Sequence, residues 1–203
     1  MTRNVYRSLC ALVAVVLLCG MAAAKDEKKS SGVTIKNFGQ MDERFYRGGQ
    51  PKEEEYGQLK ALGIQTIIDL QEKPKGYEKA AVESLGMRYV NIPMVDKAYP
   101  KEEWVNAFLQ VVNDPATGKF YVHCAGGRHR TGTIGAVYRF TQNHWTFDQV
   151  YKEMKDYDFY TSWGHGDFKT FVEDYARQMQ ARPAHATTAA AASSAEAIFA
   201  GNH

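Results

Sequence analysis

At 203 residues the chain is long enough for one hydrophobic core, and its 25 Lys and Arg stand against 23 Asp and Glu for a formal net charge of +2. That balance argues against a nucleic acid or an anionic membrane as partner, the more so if Arg3 and Arg7 leave with a leader and bring the charge near zero. Three cysteines, Cys10, Cys19 and Cys124, are too few for a disulfide scaffold.

The N-terminus reads as a secretory signal over residues 1–24. Arg3 and Arg7 form its charged part, Leu9 to Met21 its apolar core, and Ala22-Ala23-Ala24 a small-residue cleavage site before Lys25. The apolar run is short for a membrane span, and the large residue before Cys19 argues against lipid attachment. The expectation is a secreted or periplasmic protein with no stable membrane association after cleavage. Cys124 would be its single cysteine, a free thiol in an oxidising compartment with no resolving partner.

A polar linker follows over 25–37, then one domain over 38–182. Hydrophobic pattern and breakers predict a strand near 44–47, a helix over 52–62, a strand over 64–70 and a helix over 76–85. Next come a strand over 87–93 and a helix over 101–113, with Trp104, Val105, Phe108, Leu109 and Val112 on one face. A strand over 119–122 precedes helices near 131–142, 147–156 and 167–180. In the last, Phe168, Phe171, Val172, Tyr175 and Met179 form a core-facing stripe. The pattern is α/β, a central and mainly parallel sheet with helices on both sides. The segment 157–169 is dense in aromatics and carries His165 between glycines; it walls the substrate pocket or caps the core, and the core is the reading taken for Tyr160 and Trp163, which as pocket walls would suit phosphotyrosine. The Ala/Ser/Thr-rich residues 183–203 read as a disordered tail.

Residues 123–132, HCAGGRHRTG, join the last strand to a helix start, with Thr131 near the N-cap. Backbone N–H groups of such a loop form a concave nest, and the helix adds its positive end, which suits a tetrahedral oxyanion. Ala125, Gly126, Gly127, Arg128, His129 and Arg130 are the candidate phosphate-binding residues. Cys124, at a helix N-terminus beside Arg130, is expected as a thiolate nucleophile. Arg130 offers a planar fork for two phosphate oxygens. The Thr131 hydroxyl is placed to donate to the sulfur when it leaves, and His123 to orient the loop. No Gly-Lys-Ser/Thr follows the glycines, so this is not a nucleotide-binding Walker loop. No metal and no cofactor is called for. Arg128, His129 and Lys97 make the surroundings basic, which hints at a substrate with several phosphates; plain solvated loop residues are the blander reading.

The ten residues resemble the signature loop of the cysteine-based protein tyrosine and dual-specificity phosphatases. The form Gly-Arg-His-Arg-Thr-Gly (127–132) is similar to the atypical plant and fungal group acting on inositol pyrophosphates and their bacterial relatives. FYRGGQP (45–51) and LGIQTIIDLQ (62–71) resemble that group's first two strands. The resemblance implies a dual-specificity-phosphatase-like fold and two-step hydrolysis through a phosphocysteine, with an aspartate on another loop as general acid and then base. Its substrates would be phosphorylated proteins or small-molecule phosphates.

Geometry selects that aspartate. In a parallel sheet, catalytic loops leave the carboxyl ends of the strands. Loop 94–100, MVDKAYP, leaves the strand 87–93 on the same edge as the Cys124 loop, and Asp96 is its only acid. Asp114 is nearer in sequence but lies a strand length away, about 17 Å. Pro100 fits the family's habit of closing that loop with a proline. The plainer reading of Asp96 is a turn residue before the next helix. Two other functions stay open on the sequence: a non-catalytic phosphate-binding module, and a sulfur-transfer or arsenate-reducing enzyme.

Overall fold

Five strands, β1 (Gly39–Gln40), β2 (Phe45–Gly48), β3 (Thr66–Gln71), β4 (Arg88–Met94) and β5 (Phe120–His123), form one sheet in the computed structural model, in the order β1-β2-β5-β3-β4. The two-residue edge strand β1 pairs antiparallel with β2, and all other pairings are parallel. The described residues are 32–181. The expected signal segment, residues 25–31 of the linker and the 183–203 tail lie outside them.

β3 and β5 are buried at every residue, which is why TIIDLQ and FYVH read as near-continuous apolar runs instead of alternating ones. Successive side chains still point to opposite faces. Ile68, Leu70, Phe120 and Val122 join the main core, built with helices α3 (Glu102–Asn113), α4 (His129–Gln142), α5 (Phe147–Asp156) and α6 (Gly166–Ala181). Their neighbours Ile67, Asp69, Tyr121 and His123 take the other face. There α1 (Tyr56–Ala61), entered through a 3-10 turn at Glu53–Glu55, and α2 (Glu78–Ser84) bury Tyr56, Leu59, Glu78 and Val82.

α4 is the central helix, buried at every residue from His129 to Phe140. Small residues let it approach its neighbours: a Cβ on Gly135 would stand 3.2 Å from the Met41 methyl. The helix begins two residues earlier than its sequence suggests, with Arg128 at the N-cap position, so Arg130 and Thr131 lie inside its first turn. α5 starts with a capping box between Thr146 and Gln149. Arg139 of α4 ties that helix to α5 through Glu153 at 2.6 Å and to the Met41 carbonyl at 2.7 Å.

β4 and β5 are parallel, as the strand–helix–strand reading requires, but β3 lies between them. Loops leaving β3, β4 and β5 therefore share one edge of the sheet. Among the described residues, no helix is long and apolar enough to cross a membrane.

Candidate active site

The edge where β3, β4 and β5 end is pinned by one side chain. Arg130, in the first turn of α4, directs Nη1 to the carbonyls of Leu70 at 3.5 Å and Met94 at 3.3 Å. Its Nε lies 3.7 Å from Oδ1 of Asp96. Cys124, 3% exposed, sits one residue past β5 and is a free thiol. Burial pushes its pKa up, but the Arg130 guanidinium, the Thr131 hydroxyl and amide and the Gly127 amide outweigh burial and bring the thiol below its ordinary value. The Thr131 hydroxyl has no conventional hydrogen-bond partner among the described residues, so its proton is available to the sulfur.

The loop is shaped from behind by residues the ten-residue motif does not contain. Gly127 has φ +69, and a Cβ there would meet the carbonyl carbon and oxygen of Gly48 at 2.4 and 2.5 Å. Only glycine lets the loop lie against the exit of β2. The Gly127 carbonyl accepts from Nη2 of Arg47 at 2.7 Å and from Nδ2 of Asn37 at 3.0 Å. A trans peptide sets N–H opposite C=O, so this double clamp turns the Arg128 N–H away from the clamp. Gln50 N–H adds a bond to the Ala125 carbonyl at 3.2 Å. The segment FYRGGQP is thus the backing of the phosphate loop.

Asp96 leaves β4 as expected and faces the cleft, its side chain 48% exposed. Its Oδ1 lies between Arg130 and His165, whose Nε2 is 4.0 Å away. Asp114 is elsewhere: it pairs with Arg88 at 3.1 Å and caps the 3-10 turn Pro115–Thr117. The cleft has a volume of about 240 Å³ and is bounded by Cys124, Ala125, Gly126, Arg128, His129, Arg130, Asp96, Lys97, Tyr160 and His165. A larger groove of about 360 Å³ between Tyr99, Leu109, Phe171 and Tyr175 holds no nucleophile, so chemistry and not size selects the site.

Three expectations are corrected here. His129 is not a cation at neutral pH: burial, then the neighbouring His165, lower its pKa to about 4. Its ring stacks on His165 at 3.6 Å and meets the Tyr160 ring edge-on at 4.3 Å. Trp163 does not cap the core; it is 81% exposed with φ +59. Tyr160 is half-buried and lines the cleft. Arg128 lies at the cleft wall 3.8 Å from Asp158, and Lys97 stands at the rim with its aliphatic chain over Gly164.

His123 points away from the cleft, to the opposite face of the sheet. It is fully buried, with Nε2 2.7 Å from Oε1 of Glu78 and Nδ1 3.8 Å from Oδ1 of Asp69, its register partner on β3. Burial pushes the imidazole down, but Glu78 and then Asp69 outweigh it and raise the His123 pKa. Burial likewise pushes Glu78 up, and the contact with His123 brings it below the usual carboxylate value. Asp69 is raised, chiefly by burial. The three offer ligand atoms within 4.8 Å of one another. Their carboxylate oxygens are already engaged, however: Glu78 with His123 and Gln50, Asp69 with the Gln71 N–H and the Tyr89 hydroxyl. The cluster fits a hydrogen-bonded support for the residue before Cys124 better than a metal centre. Sequence reasoning missed Arg47, Asp69 and Glu78; the arginine's place in FYRGGQP was the one signal available.

Comparison with known proteins agrees with this geometry. The OCA1 protein of Mycosarcoma maydis, assigned to the tyrosine-protein phosphatases, is 31% identical over 124 residues, covering 59% of this chain and 78% of its own. Inositol diphosphatase DSP5 of Arabidopsis thaliana is 28% identical over 146 residues, 68% of this chain and 69% of its own. In fold, the core catalytic domain of the PP-IP phosphatase SIW14 from S. cerevisiae superposes with a TM-score of 0.61 at 24% identity, over 70% of this chain and 86% of that one. TpbA of P. aeruginosa gives 0.59 at 21% identity, over 71% and 91%. The family of DSP-PTPase phosphatases fused to NAD+ kinase matches residues 20–173, and the chain belongs to that family of cysteine-type phosphatases.

Proposed function

We propose that the protein hydrolyses phosphate monoesters without a metal, through a phosphocysteine on Cys124, and prefers small polyanionic substrates. The observation that carries this reading is the convergence of Cys124, Arg130 and Asp96 on one cleft at the carboxyl edge of the sheet. In the first step the Cys124 sulfur attacks phosphorus, an S–P bond forms as the P–O bond breaks, and Asp96 gives its proton to the leaving oxygen. In the second, water attacks phosphorus, the Asp96 carboxylate takes the water's proton, and the sulfur leaves with the Thr131 hydroxyl turned toward it. Arg130 and the loop amides hold the phosphoryl oxygens throughout.

Support for the polyanion preference comes from Arg128 and Lys97 bounding an open cleft, and from a relative named as an inositol diphosphatase. With His129 neutral, these two carry the preference. A phosphotyrosine enzyme is the second reading, favoured by Tyr160 in the cleft wall. Comparing kcat/KM for an inositol polyphosphate, a phosphotyrosyl peptide and a phosphoseryl peptide separates them; a clear excess for the phosphotyrosyl peptide would overturn the preference. Secretion through residues 1–24, with cleavage near Ala24, belongs to the same proposal, and N-terminal sequencing of the exported protein tests it.

A further inference from the structure

His165 lines the cleft and has no part in the reaction as written above. Its side chain is 7% exposed, and its ring plane is fixed by stacking on His129 at 3.6 Å, by the Tyr160 edge at 5.3 Å and by Phe168 at 6.2 Å. Nδ1 lies 2.9 Å from the Ser162 carbonyl oxygen, which only accepts, so Nδ1 bears a proton. The variable nitrogen is therefore Nε2, and it is the one directed at Asp96, 4.0 Å from Oδ1. Arg130 reaches the same oxygen from another side at 3.7 Å.

The titratable and charged groups on this side of the cleft are Asp96 and Lys97 from the loop after β4, Arg128, His129 and Arg130 from the start of α4 and Tyr160 from the ring's own turn. His129 is held neutral, so the stacked pair of imidazoles does not carry two charges at neutral pH. When a phosphate enters, the Arg130 fork is needed for its oxygens, and its 3.7 Å approach to Asp96 no longer serves the carboxylate. A carboxyl poised to protonate a leaving group then needs another partner that holds its position.

We propose that His165 is the positioning partner of Asp96: as Arg130 grips the phosphate, the carboxyl closes the 4.0 Å gap to Nε2, donates its proton's hydrogen bond there and stays directed into the cleft. This rests on the phosphatase reading with Asp96 as general acid, and adds a residue to it. The Asp96 carboxyl carries the proton and Nε2 is the acceptor it turns to. In the first step that proton goes from the carboxyl to the leaving oxygen, leaving a carboxylate beside an unprotonated Nε2. In the second, the proton removed from water restores the pair. A hydrogen bond given to Nε2 favours the protonated carboxyl over the carboxylate, so a variant without Nε2 loses that preference.

The test is the pH–rate profile of the full chain on phenyl phosphate, a poor leaving group, and para-nitrophenyl phosphate, a good one. His165→Asn keeps an amide near the Nδ1 position for Ser162 and removes Nε2; His165→Gln places an amide near Nε2 that does not titrate. His165→Asn is expected to lower kcat on phenyl phosphate about tenfold, with a smaller loss on the nitrophenyl ester, and to move the alkaline limb about one pH unit toward acid. His165→Gln recovers part of the rate but leaves the limb displaced, and it carries the test by itself if the asparagine variant does not fold. In an Asp96→Asn background, His165→Asn adds no further loss. Equal losses on both esters with an unmoved limb, or a further loss in that background, would overturn the proposal. An intact protein inactive on both esters, or a Cys124→Ser variant as active as the parent, overturns instead the phosphatase reading beneath it.

Discussion

Arg47 Nη2 donates to the Gly127 carbonyl at 2.7 Å, joining the second strand of the sheet to the middle of the phosphate loop. The guanidinium is fully buried, lies 4.0 Å over the Tyr157 ring, and is pushed below its ordinary pKa by burial. A buried cation this close to the Cys124 loop acts on its shape and on its field.

Arg47→Lys is expected to cost about 1–3 kcal/mol of stability, because an ammonium does not reproduce the planar fork and leaves buried polar atoms unpaired. The loop should also loosen, so inorganic phosphate should inhibit about tenfold less well, the scale of one charge-assisted bond. Denaturant unfolding and a phosphate inhibition constant check both. An unchanged inhibition constant would reduce Arg47 to a packing residue.

Glu78→Gln probes the buried support behind the loop. The His123 pKa is raised in the folded state, so its contribution is fully present below the unfolded value of about 6.5 and is lost as pH rises through the folded one. Glu78 is lowered, so its contribution is present above its unfolded value and is lost as pH falls through the folded one. Asp69 is raised and works against stability once pH exceeds its unfolded value. The glutamine variant should therefore lose stability most just below pH 6.5, and the gap to the parent should close at higher pH. Urea midpoints measured between pH 5 and pH 9 check this; a gap that does not vary with pH would mean that His123 is neutral.

Asp96→Asn should lower the rate by about two to four orders of magnitude, the usual scale for general acid–base catalysis. It should flatten the alkaline limb of the pH–rate profile and spare substrates with good leaving groups. An unchanged profile would move the role to another carboxylate.

Arg128→Ala should raise KM for an inositol polyphosphate and leave kcat nearly unchanged, since contacts to remote phosphates act as binding terms. Steady-state kinetics on the three substrate classes checks it. Equal weakening of all three would mean that Arg128 serves only the reacting phosphate.

Much of this was legible locally. β3 and β5 announce themselves as short apolar runs because both faces are covered, and α3 by the spacing of Trp104, Val105, Phe108 and Val112. The loop from Cys124 to Thr131 is a contiguous piece of chemistry, so its place at the sheet edge follows from strand and helix alone. β1 has only two residues, Gly39 and Gln40, with no pattern of their own; pairing with β2 makes it a strand. Arg47, Glu78 and His165 reach the site through tertiary packing, which no local spacing encodes. The same blindness made His129 look like a cation, because only the fold buries its ring and then brings His165 to within stacking distance of it. Trp163 looked like core by composition, yet a left-handed backbone carries it out to solvent.

The central claim is a covalent phosphocysteine on Cys124. The most direct measurement is acid quenching of the Asp96→Asn variant during turnover of para-nitrophenyl phosphate in EDTA, followed by mass analysis of the peptide holding residue 124. Loss of the acid spares this good leaving group but slows the second step, so the intermediate should accumulate. The predicted result is one phosphoryl group on Cys124, absent from a Cys124→Ser variant that is also inactive. Full turnover by Cys124→Ser, with no phosphorylated peptide in either protein, would contradict the account.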